Sequence, residues 1–557
     1  MEAGRPVTGF RERGPAFAVA ATRFGTGGGC GPGVRSGQRL RRGRAWGSSR
    51  RRRVLRRRAA ANAMATEAGL QAESLMEVGR PRPERFPLFE AARCKTRPIR
   101  GQERPGEVRR MRPMSKVLIA CFVMSAVAGS ALSQDAKPER LQSWPRWRGP
   151  ADTGAASGAR PPLTWSEKKN VRWKIPLPGK GHSTPVIWED RIYVTAAVPH
   201  GDAEEPARHR APGAHDNSPK VRRQRSMVFA ISRKDGSILW QREVHDGRPL
   251  EGGHVTGSFA SASPVTDGDY VIASFGARGL HALNRDGKVL WSVDLGAMKT
   301  KHAHGEGSSP VLHGDTVVVN RDHEGQSFIA AFDKKTGRER WRKPRTEVTS
   351  WATPIVVEHG GKKHLIVSGT RRLRSYDLDT GDILWECGGL AHNVVASPVA
   401  GHGMVFAASS YERQAMIAIR LEGAKGDLTV SDNVAWTRRR LTPYVPSPLL
   451  YRGVLYLLHH YQAVLCRVDA KTGQESIRAQ RLRDLGNIYA SPVAAAGRVY
   501  VTDLQGMTVV LDHEKPGVIL ARNRLDDRFS ASAGLVDGEI YLRGLRFLYC
   551  IAEPRVR

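Results

Sequence analysis

The segment KHAHGEG, residues 301–307, places two imidazoles and one carboxylate within five consecutive positions. His302, His304 and Glu306 alternate with small residues, and side chains of these types bind divalent transition metals. The spacing raises the hypothesis of a metal site. The competing interpretation is an ordinary polar loop, which is favoured because no other His or Cys cluster accompanies it. We therefore assign no metal site and keep these three residues as candidates.

A repeated segment supplies the scaffold that must position any such site. A small residue followed by proline recurs, each time ahead of an apolar run, a polar turn and a β-rich run. The prolines are Pro185, Pro264, Pro310, Pro354, Pro398, Pro448 and Pro492, and a copy without proline covers 530–542. A polar insertion at 199–225 lengthens the first interval. A period of about 44 residues indicates stacked supersecondary units.

A second recurrent phrase, such as DKKTGRERW at 333–341, places a tryptophan four residues after a turn glycine. Each unit has four β-rich runs, and this phrase forms the hairpin between the third and fourth. The tryptophan is then expected on the outermost strand, covering the contact with the next unit. Six positions fill this role: Trp173, Trp240, Trp291, Trp341, Trp385 and Trp436. Ile477 and Ala521 replace it in the sixth and seventh units, where we expect weaker contacts.

Eight units of four short strands predict an all-β fold, an eight-bladed β-propeller over residues 171–557. The eighth unit has only three strands. The segment NVRWKIPLPG at 170–179 carries its own tryptophan and is predicted to supply the missing strand. That pairing would close the ring and leave no open edge.

The residues just before each small-residue-proline pair should surround one mouth of the central channel. This set comprises Gly181 with His182, Phe259, Glu306, Trp351, Asn393, Tyr444, Tyr489 and Phe529. Mixed aromatic and polar residues at such a mouth suit the binding of a peptide or glycan. The alternative is ordinary channel lining without a ligand.

The combination of SPV, G-x-V-Y-V, D-x-x-T-G and G-x-x-x-W resembles the PQQ-like β-propeller repeat. Quinoprotein alcohol dehydrogenases and the outer-membrane assembly lipoprotein of the Bam complex share this repeat. The leader WPRWRGP at 144–150 resembles the opening of exported PQQ-like propellers of planctomycete-type bacteria. The resemblance covers residues 144 to about 554. It is specific for the fold and much less so for activity, since enzymes and scaffolds both use the repeat.

The enzymes of this superfamily hold PQQ with Ca²⁺ and commonly carry a disulfide between adjacent cysteines. This chain has no adjacent cysteines and no Cys-x-x-Cys-His haem motif. Its repeats are short and leave little length for the long loops that cover an enzyme's active site. PQQ with Ca²⁺ stays possible, but no ligand set is assigned. These features favour a non-catalytic propeller that binds a protein, peptide or envelope component. The alternative is a PQQ-dependent dehydrogenase that oxidises an alcohol or sugar.

The chain carries a net charge of +34, and the charge is concentrated near its start. Residues 1–113 hold 27 of the 88 Lys and Arg residues but 9 of the 54 acidic ones. We interpret them as a disordered tail or as sequence upstream of the true start codon; an RNA-binding arm is the alternative. The basic excess therefore does not indicate a nucleic-acid partner.

Residues 114–133 have the layout of a secretory signal peptide: Lys116, an apolar run, then small residues ahead of a cut after Ser133. A linker with the WRGP leader follows at 134–170. We expect a monomer exported to the periplasm or cell envelope, without a membrane span once the signal is cleaved; an uncleaved anchor is the alternative. The three remaining cysteines, Cys387, Cys466 and Cys550, are widely spaced, so we expect the core to stabilise the fold.

Overall fold

The computed structural model describes residues 143–208, 211 and 213–554. The Arg-rich extension, the signal peptide and residues 134–142 of the linker lie outside this part. The described residues form eight sheets, antiparallel except for one short parallel strand in the fourth, and the prediction of an all-β, eight-bladed propeller is confirmed. No helix within the described ranges is long and apolar enough to cross a membrane.

The first strand and the first four blades follow the chain in order. Strand β1 is Val171–Pro176. Blade 1 contains β2 (Val186–Trp188), β3 (Arg191–Glu204), β4 (Val221–Ser232) and β5 (Ile238–Gly247). Blade 2 contains β6 (Val265–Thr266), β7 (Tyr270–Ser274), β8 (Leu280–Asn284) and β9 (Val289–Val293). Blade 3 contains β10 (Val311–His313), β11 (Thr316–Arg321), β12 (Ser327–Asp333) and β13 (Glu339–Arg345). Blade 4 contains β14 (Ile355–His359), β15 (Lys362–Ser368), β16 (Arg372–Asp377) and β17 (Ile383–Gly388).

The remaining blades continue the same order, and two short 3-10 helices, Gly276–Arg278 and Lys301–Ala303, lie in loops. Blade 5 contains β18 (Val399–Gly401), β19 (Met404–Ser409), β20 (Ala415–Arg420) and β22 (Val434–Arg438). Between β20 and β22, the short strand β21 (Gly426–Asp427) joins the blade 4 sheet instead. Blade 6 contains β23 (Leu449–Tyr451), β24 (Val454–Leu458), β25 (Val464–Asp469) and β26 (Glu475–Arg481). Blade 7 contains β27 (Val493–Ala495), β28 (Arg498–Thr502), β29 (Met507–Asp512) and β30 (Ile519–Arg524). Blade 8 contains β31 (Gly534–Val536), β32 (Glu539–Arg543) and β33 (Phe547–Ala552).

Strand β1 is the outer strand of blade 8. It pairs antiparallel with β33, with Trp173 opposite Cys550. The last blade therefore combines three strands from the end of the propeller with one from its beginning.

The residue before each proline links neighbouring blades near the axis. The backbone N–H of one such residue donates to the side-chain hydroxyl of its counterpart in the next blade, at 2.8–2.9 Å. These seven bonds form the hydroxyl relay, which runs through Thr184, Ser263, Ser309, Thr353, Ser397, Ser447, Ser491 and Ser532. It explains why the repeat places a small hydroxyl-bearing residue before proline. All eight of these residues are buried, so the relay also satisfies backbone donors that water does not reach.

The relay is interrupted where blade 8 meets blade 1. The hydroxyl of Thr184 has no hydrogen-bond partner among the described residues. Arg543 of blade 8 instead donates to the hydroxyl of Ser183 at 2.6 Å and to the carbonyl of Thr195. A buried guanidinium thus connects the blade that is built from two distant parts of the chain.

The repeated tryptophans lie between blades as predicted. Five of the six donate their indole N–H to a backbone carbonyl of the next blade, at 2.8–3.2 Å: Trp173, Trp240, Trp291, Trp341 and Trp436. The sixth, Trp385, is fully buried, but its N–H has no partner in the described part of the chain. In blade 5 the connection that corresponds to the repeated turn is longer and contains β21.

The two contacts that lack this tryptophan are filled by other residues. Gln480 of blade 6 donates to the carbonyl of Gly517 in blade 7 at 2.8 Å. Beside Ala521, the linker residue Trp165 joins the same hydrophobic cluster and stacks on Tyr500 with ring centroids 6.3 Å apart. The expected weakness of these two contacts stays a prediction.

The leader (144–150) and the five residues after it cross one end of the ring. At this end the chain continues from each repeated proline into the inner strand of its blade. The guanidinium of Arg148 is buried and donates to the carbonyls of Pro448 and Pro492 at 3.0 and 3.1 Å. Pro145 accepts a hydrogen bond from blade 2, and Ala155 bridges blade 7. The leader therefore covers the axis at this end of the propeller.

Candidate functional site at the mouth of the ring

A cavity of about 430 Å³ opens at the other end, among the loops that enter the inner strands of blades 1 to 4. Three predicted mouth residues, Phe259, Glu306 and Trp351, line it together with His304 from the KHAHGEG segment. The four residues lie in the three consecutive loops that enter blades 2, 3 and 4, because the same turn of each repeat faces the mouth. The volume is in the range of small-molecule sites.

The polar insertion of blade 1 folds over one side of this cavity. Strands β3 and β4 extend into the insertion, so part of this polar segment is a hairpin. Its tip docks on the mouth: Asn217 donates to the carbonyl of His302 at 2.7 Å, and the Ser218 N–H donates to Gly253 at 3.1 Å. Ser218 lines the cavity itself. The insertion is therefore a wall of the site.

Glu306 is held at the floor of the cavity by backbone. Its two carboxylate oxygens accept hydrogen bonds from the Ala277 N–H at 3.0 and 2.8 Å. Gly276 makes this approach possible, because a Cβ there would lie 1.0 Å from a Glu306 oxygen and the residue has φ +60°. Glu306 consequently points toward blade 2 and not toward the two histidines that precede it.

Two arginines flank Glu306. Arg278 donates one N–H to the carbonyl of Phe259 at 2.8 Å, and its guanidinium lies 5.4 Å from the Phe259 ring centroid. Arg321 is 2% exposed and donates its Nη2 group to the carbonyls of Leu295 and Gly296. Burial lowers the pKa of both guanidinium groups, although the Glu306 carboxylate opposes the shift. A single carboxylate therefore faces two desolvated cations.

A second carboxylate of the cavity is fully engaged in the wall behind it. Asp322 accepts two hydrogen bonds from Arg345, at 2.6 and 3.0 Å, and both side chains are 0% exposed. Ser350 and Asn320 also donate to Asp322, at 2.6 and 3.1 Å. The ion pair raises the pKa of Arg345 despite its burial.

Four histidines lie beside the cavity. The ring of His304 is 4.8 to 5.3 Å from those of His215, His254 and His302, centroid to centroid. Burial and the neighbouring rings lower the pKa of His304 to about 4, and burial also lowers that of His254. No group of three His, Cys, Asp or Glu side chains among residues 143–208, 211 and 213–554 is arranged to hold a metal ion. The structure thus brings His302 and His304 together but separates Glu306 from them.

The other predicted mouth residues divide into two groups. Asn393 and Phe529 are buried, and Phe529 packs on Tyr549. His182 is partly buried, and burial together with Lys180 and Arg543 lowers its pKa to about 3. None of these three lines the cavity.

Tyr444 and Tyr489 belong to an aromatic cluster on the other side of the mouth. Tyr444 stacks on Tyr411 at 5.4 Å, and Tyr489 meets the edge of Tyr461 at 6.2 Å, both between ring centroids. His460 lies between them, 4.7 Å from Tyr444 and 4.5 Å from Tyr461. The mouth therefore offers a charged cavity on one side and an aromatic surface on the other.

The PQQ and Ca²⁺ that the resemblance implies can be compared with these residues. Ca²⁺ takes about six to eight oxygen ligands that converge on one point. The cavity carboxylates diverge: Glu306 binds a backbone N–H, Asp322 binds Arg345, and Glu251 accepts from Thr300 and Arg208. These residues do not fit a Ca²⁺ site.

Arg278 and Arg321 escaped prediction from the sequence. Arg278 lies in the segment SFGARGL at 274–280, and Arg321 ends β11. The sequence did contain one indication of Arg321, because it ends a strand that is mostly apolar. A charged side chain at that position must either face the mouth or be paired with an opposite charge.

Comparisons with known proteins address the family. A family model described as outer membrane protein assembly factor BamB matches residues 155–328, 224–477 and 325–542. Together the matches span well over half of the 557 residues. The chain belongs to this family.

Several solved structures are similar to this BamB-family chain. BamB from Moraxella catarrhalis is 14% identical, with 69% of this chain and 97% of that one covered and a TM-score of 0.48. The quinohemoprotein alcohol dehydrogenase of Comamonas testosteroni is 11% identical, covers 74% of this chain and 81% of its own, and has a TM-score of 0.51. A europium-containing methanol dehydrogenase is 11% identical, with coverages of 73% and 91% and a TM-score of 0.48. Identities this low speak to the fold alone. A comparison with curated proteins finds no match.

Proposed function

We propose that this BamB-family chain is an exported propeller that binds a ligand at the mouth of its ring without transforming it. The observation that carries the proposal is the cavity of about 430 Å³, which four blades and the blade 1 insertion build together. Its ligand would be a protein segment, a peptide or a component of the cell envelope.

The state of the reactive groups supports binding over catalysis. A general base must have a lone pair within reach of a substrate proton. In this cavity Glu306, Asp322 and Glu251 each accept hydrogen bonds from neighbouring protein groups. Cys387, Cys466 and Cys550 are buried in sheets, and burial raises the pKa of each thiol to about 11 or 12. These groups are arranged for structure.

Export is part of the proposal and rests on the segment at 114–133. Sequencing the N-terminus of the protein recovered from its own cells should find a start near residue 134. A mature protein that begins upstream of residue 114 and stays inside the cell would contradict this part.

Ligand binding is tested by melting the full chain in the presence of candidate envelope components. Short peptides, peptidoglycan fragments and soluble glycans would each be added, and one class should raise the melting temperature. Trp351→Ala should abolish the shift, whereas Tyr489→Ala, on the mouth but outside the cavity, should retain it. If no class shifts the protein, or if Trp351→Ala leaves the shift unchanged, the assignment fails.

The dehydrogenase alternative has its own test. The full chain would be incubated with PQQ and Ca²⁺ and assayed for dye reduction with alcohols and sugars. We expect no reduction above the protein-free control. Sustained reduction that depends on the protein would replace the proposed function with the enzymatic one.

A further inference from the structure

The cavity contains hydrogen-bond donors that the protein leaves unused. Arg321 Nε and Nη1 and Arg278 Nε are buried atoms without a hydrogen-bond partner in the described residues. Arg321 Nη1 lies 3.6 Å from the nearest Glu306 oxygen, beyond hydrogen-bonding distance. Buried guanidinium groups are normally paired, because desolvating an unpaired charge carries a large free-energy penalty. Here Arg278 and Arg321 share one carboxylate, Glu306, which forms an ion pair with Arg321. An anionic occupant of the cavity that both arginines line would complete their pairing.

The charge balance gives the sign of that partner. Of the acidic residues lining the cavity, Asp322 is paired with Arg345 and Glu251 with Arg208. Glu306 alone faces Arg278 and Arg321, and the half-buried Lys180 adds a further cation. Burial lowers the pKa of the cavity histidines His245, His254 and His304 and so disfavours their charged forms. The cavity is thus electropositive.

Other residues that line the cavity narrow the chemical class of the ligand. The side-chain oxygen of Asn320 is a buried acceptor without a donor, although its NH₂ group is bound to Asp322. A hydroxyl or N–H of an occupant would satisfy this acceptor, since Asn320 is one of the residues that line the cavity. Phe259 and Trp351 supply flat apolar faces at the same cavity. An occupant with an anionic group, hydroxyls and a ring-sized apolar face satisfies all three.

We infer that the cavity binds a small hydroxylated carboxylate of the sugar-acid class, with its carboxylate held between Arg278 and Arg321. Arginine suits this role because its planar donors match the two oxygens of a carboxylate. The inference rests on the proposed function, whose ligand site it assigns to one chemical class. Glu306 then sets the affinity, since its charge competes with the ligand for the same cations.

Titration calorimetry on the full chain with D-glucuronate tests the inference, with D-glucose as the neutral probe of the same ring size. We expect glucuronate to bind and glucose not to bind detectably at the same concentration. Arg278→Gln should weaken glucuronate binding by about tenfold or more, as expected for loss of a charged hydrogen bond. Arg321→Gln should do the same where its melting temperature shows that it folds.

Glu306→Gln supplies a variant with the opposite expectation. Its amide oxygen can still accept from Ala277, but the competing charge is gone, so glucuronate should bind about threefold tighter or more. A general loss of structure at the mouth would weaken binding in every variant and cannot mimic this gain.

The inference is overturned if glucuronate fails to bind below about 10 mM, if glucose binds equally well, or if Arg278→Gln binds like the wild type. A neutral ligand that depends on Trp351 but not on Arg278 would overturn the carboxylate assignment while leaving the binding function intact. Dye reduction with PQQ would overturn the binding function while leaving the carboxylate anchor to be judged by the calorimetry.

Discussion

Gly381 of blade 4 lies against the indole of Trp341 of blade 3, so closely that a Cβ on the glycine would be 2.6 Å from the ring. The same approach joins Gly236 to Trp173 and Gly473 to Trp436, within 2.9 Å. The glycine and tryptophan of one repeated phrase therefore serve different contacts. The glycine receives the tryptophan of the preceding blade, and the tryptophan reaches the glycine of the next.

Replacing Gly381 with alanine should lower the free energy of unfolding by more than backbone strain alone would. Gly381 and Gly403 have similar φ angles, +74° and +69°, but a Cβ at Gly403 would meet nothing within 4 Å. Gly403→Ala should lose about 1–2 kcal/mol from the strain, and Gly381→Ala about 1–3 kcal/mol more from overlap with Trp341. Denaturant unfolding measures the difference. Equal losses would show that the indole contact carries no constraint.

Trp341→Ala should lower the free energy of unfolding by about 3–5 kcal/mol. The side chain is 9% exposed and donates its N–H to Leu378 at 3.0 Å, so the variant loses both packing and a hydrogen bond. Ile477→Ala, at the equivalent position of blade 6, should lose clearly less, because that side chain is only partly buried. A melting temperature of Trp341→Ala within one degree of the wild type would contradict the docking role.

The hydroxyl relay predicts a contrast between two hydroxyl deletions. Ser447→Ala leaves the buried Ser397 N–H without its acceptor and should lower the free energy of unfolding by about 1–3 kcal/mol. Thr184→Val removes the hydroxyl that has no partner and should change it by less than about 0.5 kcal/mol. Thermal melting of both variants checks this. A larger loss at Thr184 would mean that the relay closes around the whole ring.

Asp322→Asn should be strongly destabilising, by about 3–5 kcal/mol, because the buried Arg345 guanidinium loses its two hydrogen bonds to a carboxylate and keeps only the more distant Glu347, at 3.5 Å, as a charged partner. Asp382→Asn removes the partner of Lys343 in an exposed pair with an N–O distance of 2.8 Å and should change stability by less than about 1 kcal/mol. Unfolding in denaturant compares the two. Similar losses would indicate that the buried pair is dispensable.

Stability should fall as the pH is lowered from 7 toward 5, partly through His281. Burial lowers the pKa of His281 to about 4, and its ring nitrogens face the Ser292 hydroxyl and the Arg278 carbonyl. Between about pH 6.5 and 4 the unfolded chain binds a proton that the folded chain does not, so acid favours unfolding. His281→Gln should reduce the slope of melting temperature against pH. The exposed His402→Gln is the control, and an unchanged slope in His281→Gln would refute the assignment.

The sequence was sufficient for the ring and for part of the mouth. The fixed period of the repeat predicts the number of blades. The position of Trp341 or Ser447 within the repeat predicts where the equivalent residue lies in each blade. Phe259, Glu306 and Trp351 were predicted at one mouth for the same reason, and they do line one cavity.

The rest of the site breaks the repeat and could not be predicted in this way. The insertion tip at Asn217 docks on a loop 85 residues away, and no periodicity reports that contact. Arg278 and Arg321 occur in single blades, so no other copy indicates what their side chains do. Glu306 turns to Ala277 because Gly276 leaves room for it, an effect of one missing Cβ that spacing alone does not reveal.

The leader that carries Arg148 makes the two ends of the propeller unequal. With one end covered, the axis is a blind well and not a passage, and a molecule bound at the open mouth must leave by the way it entered. The hairpin tip around Asn217 and Ser218 forms one side of this shared way in and out.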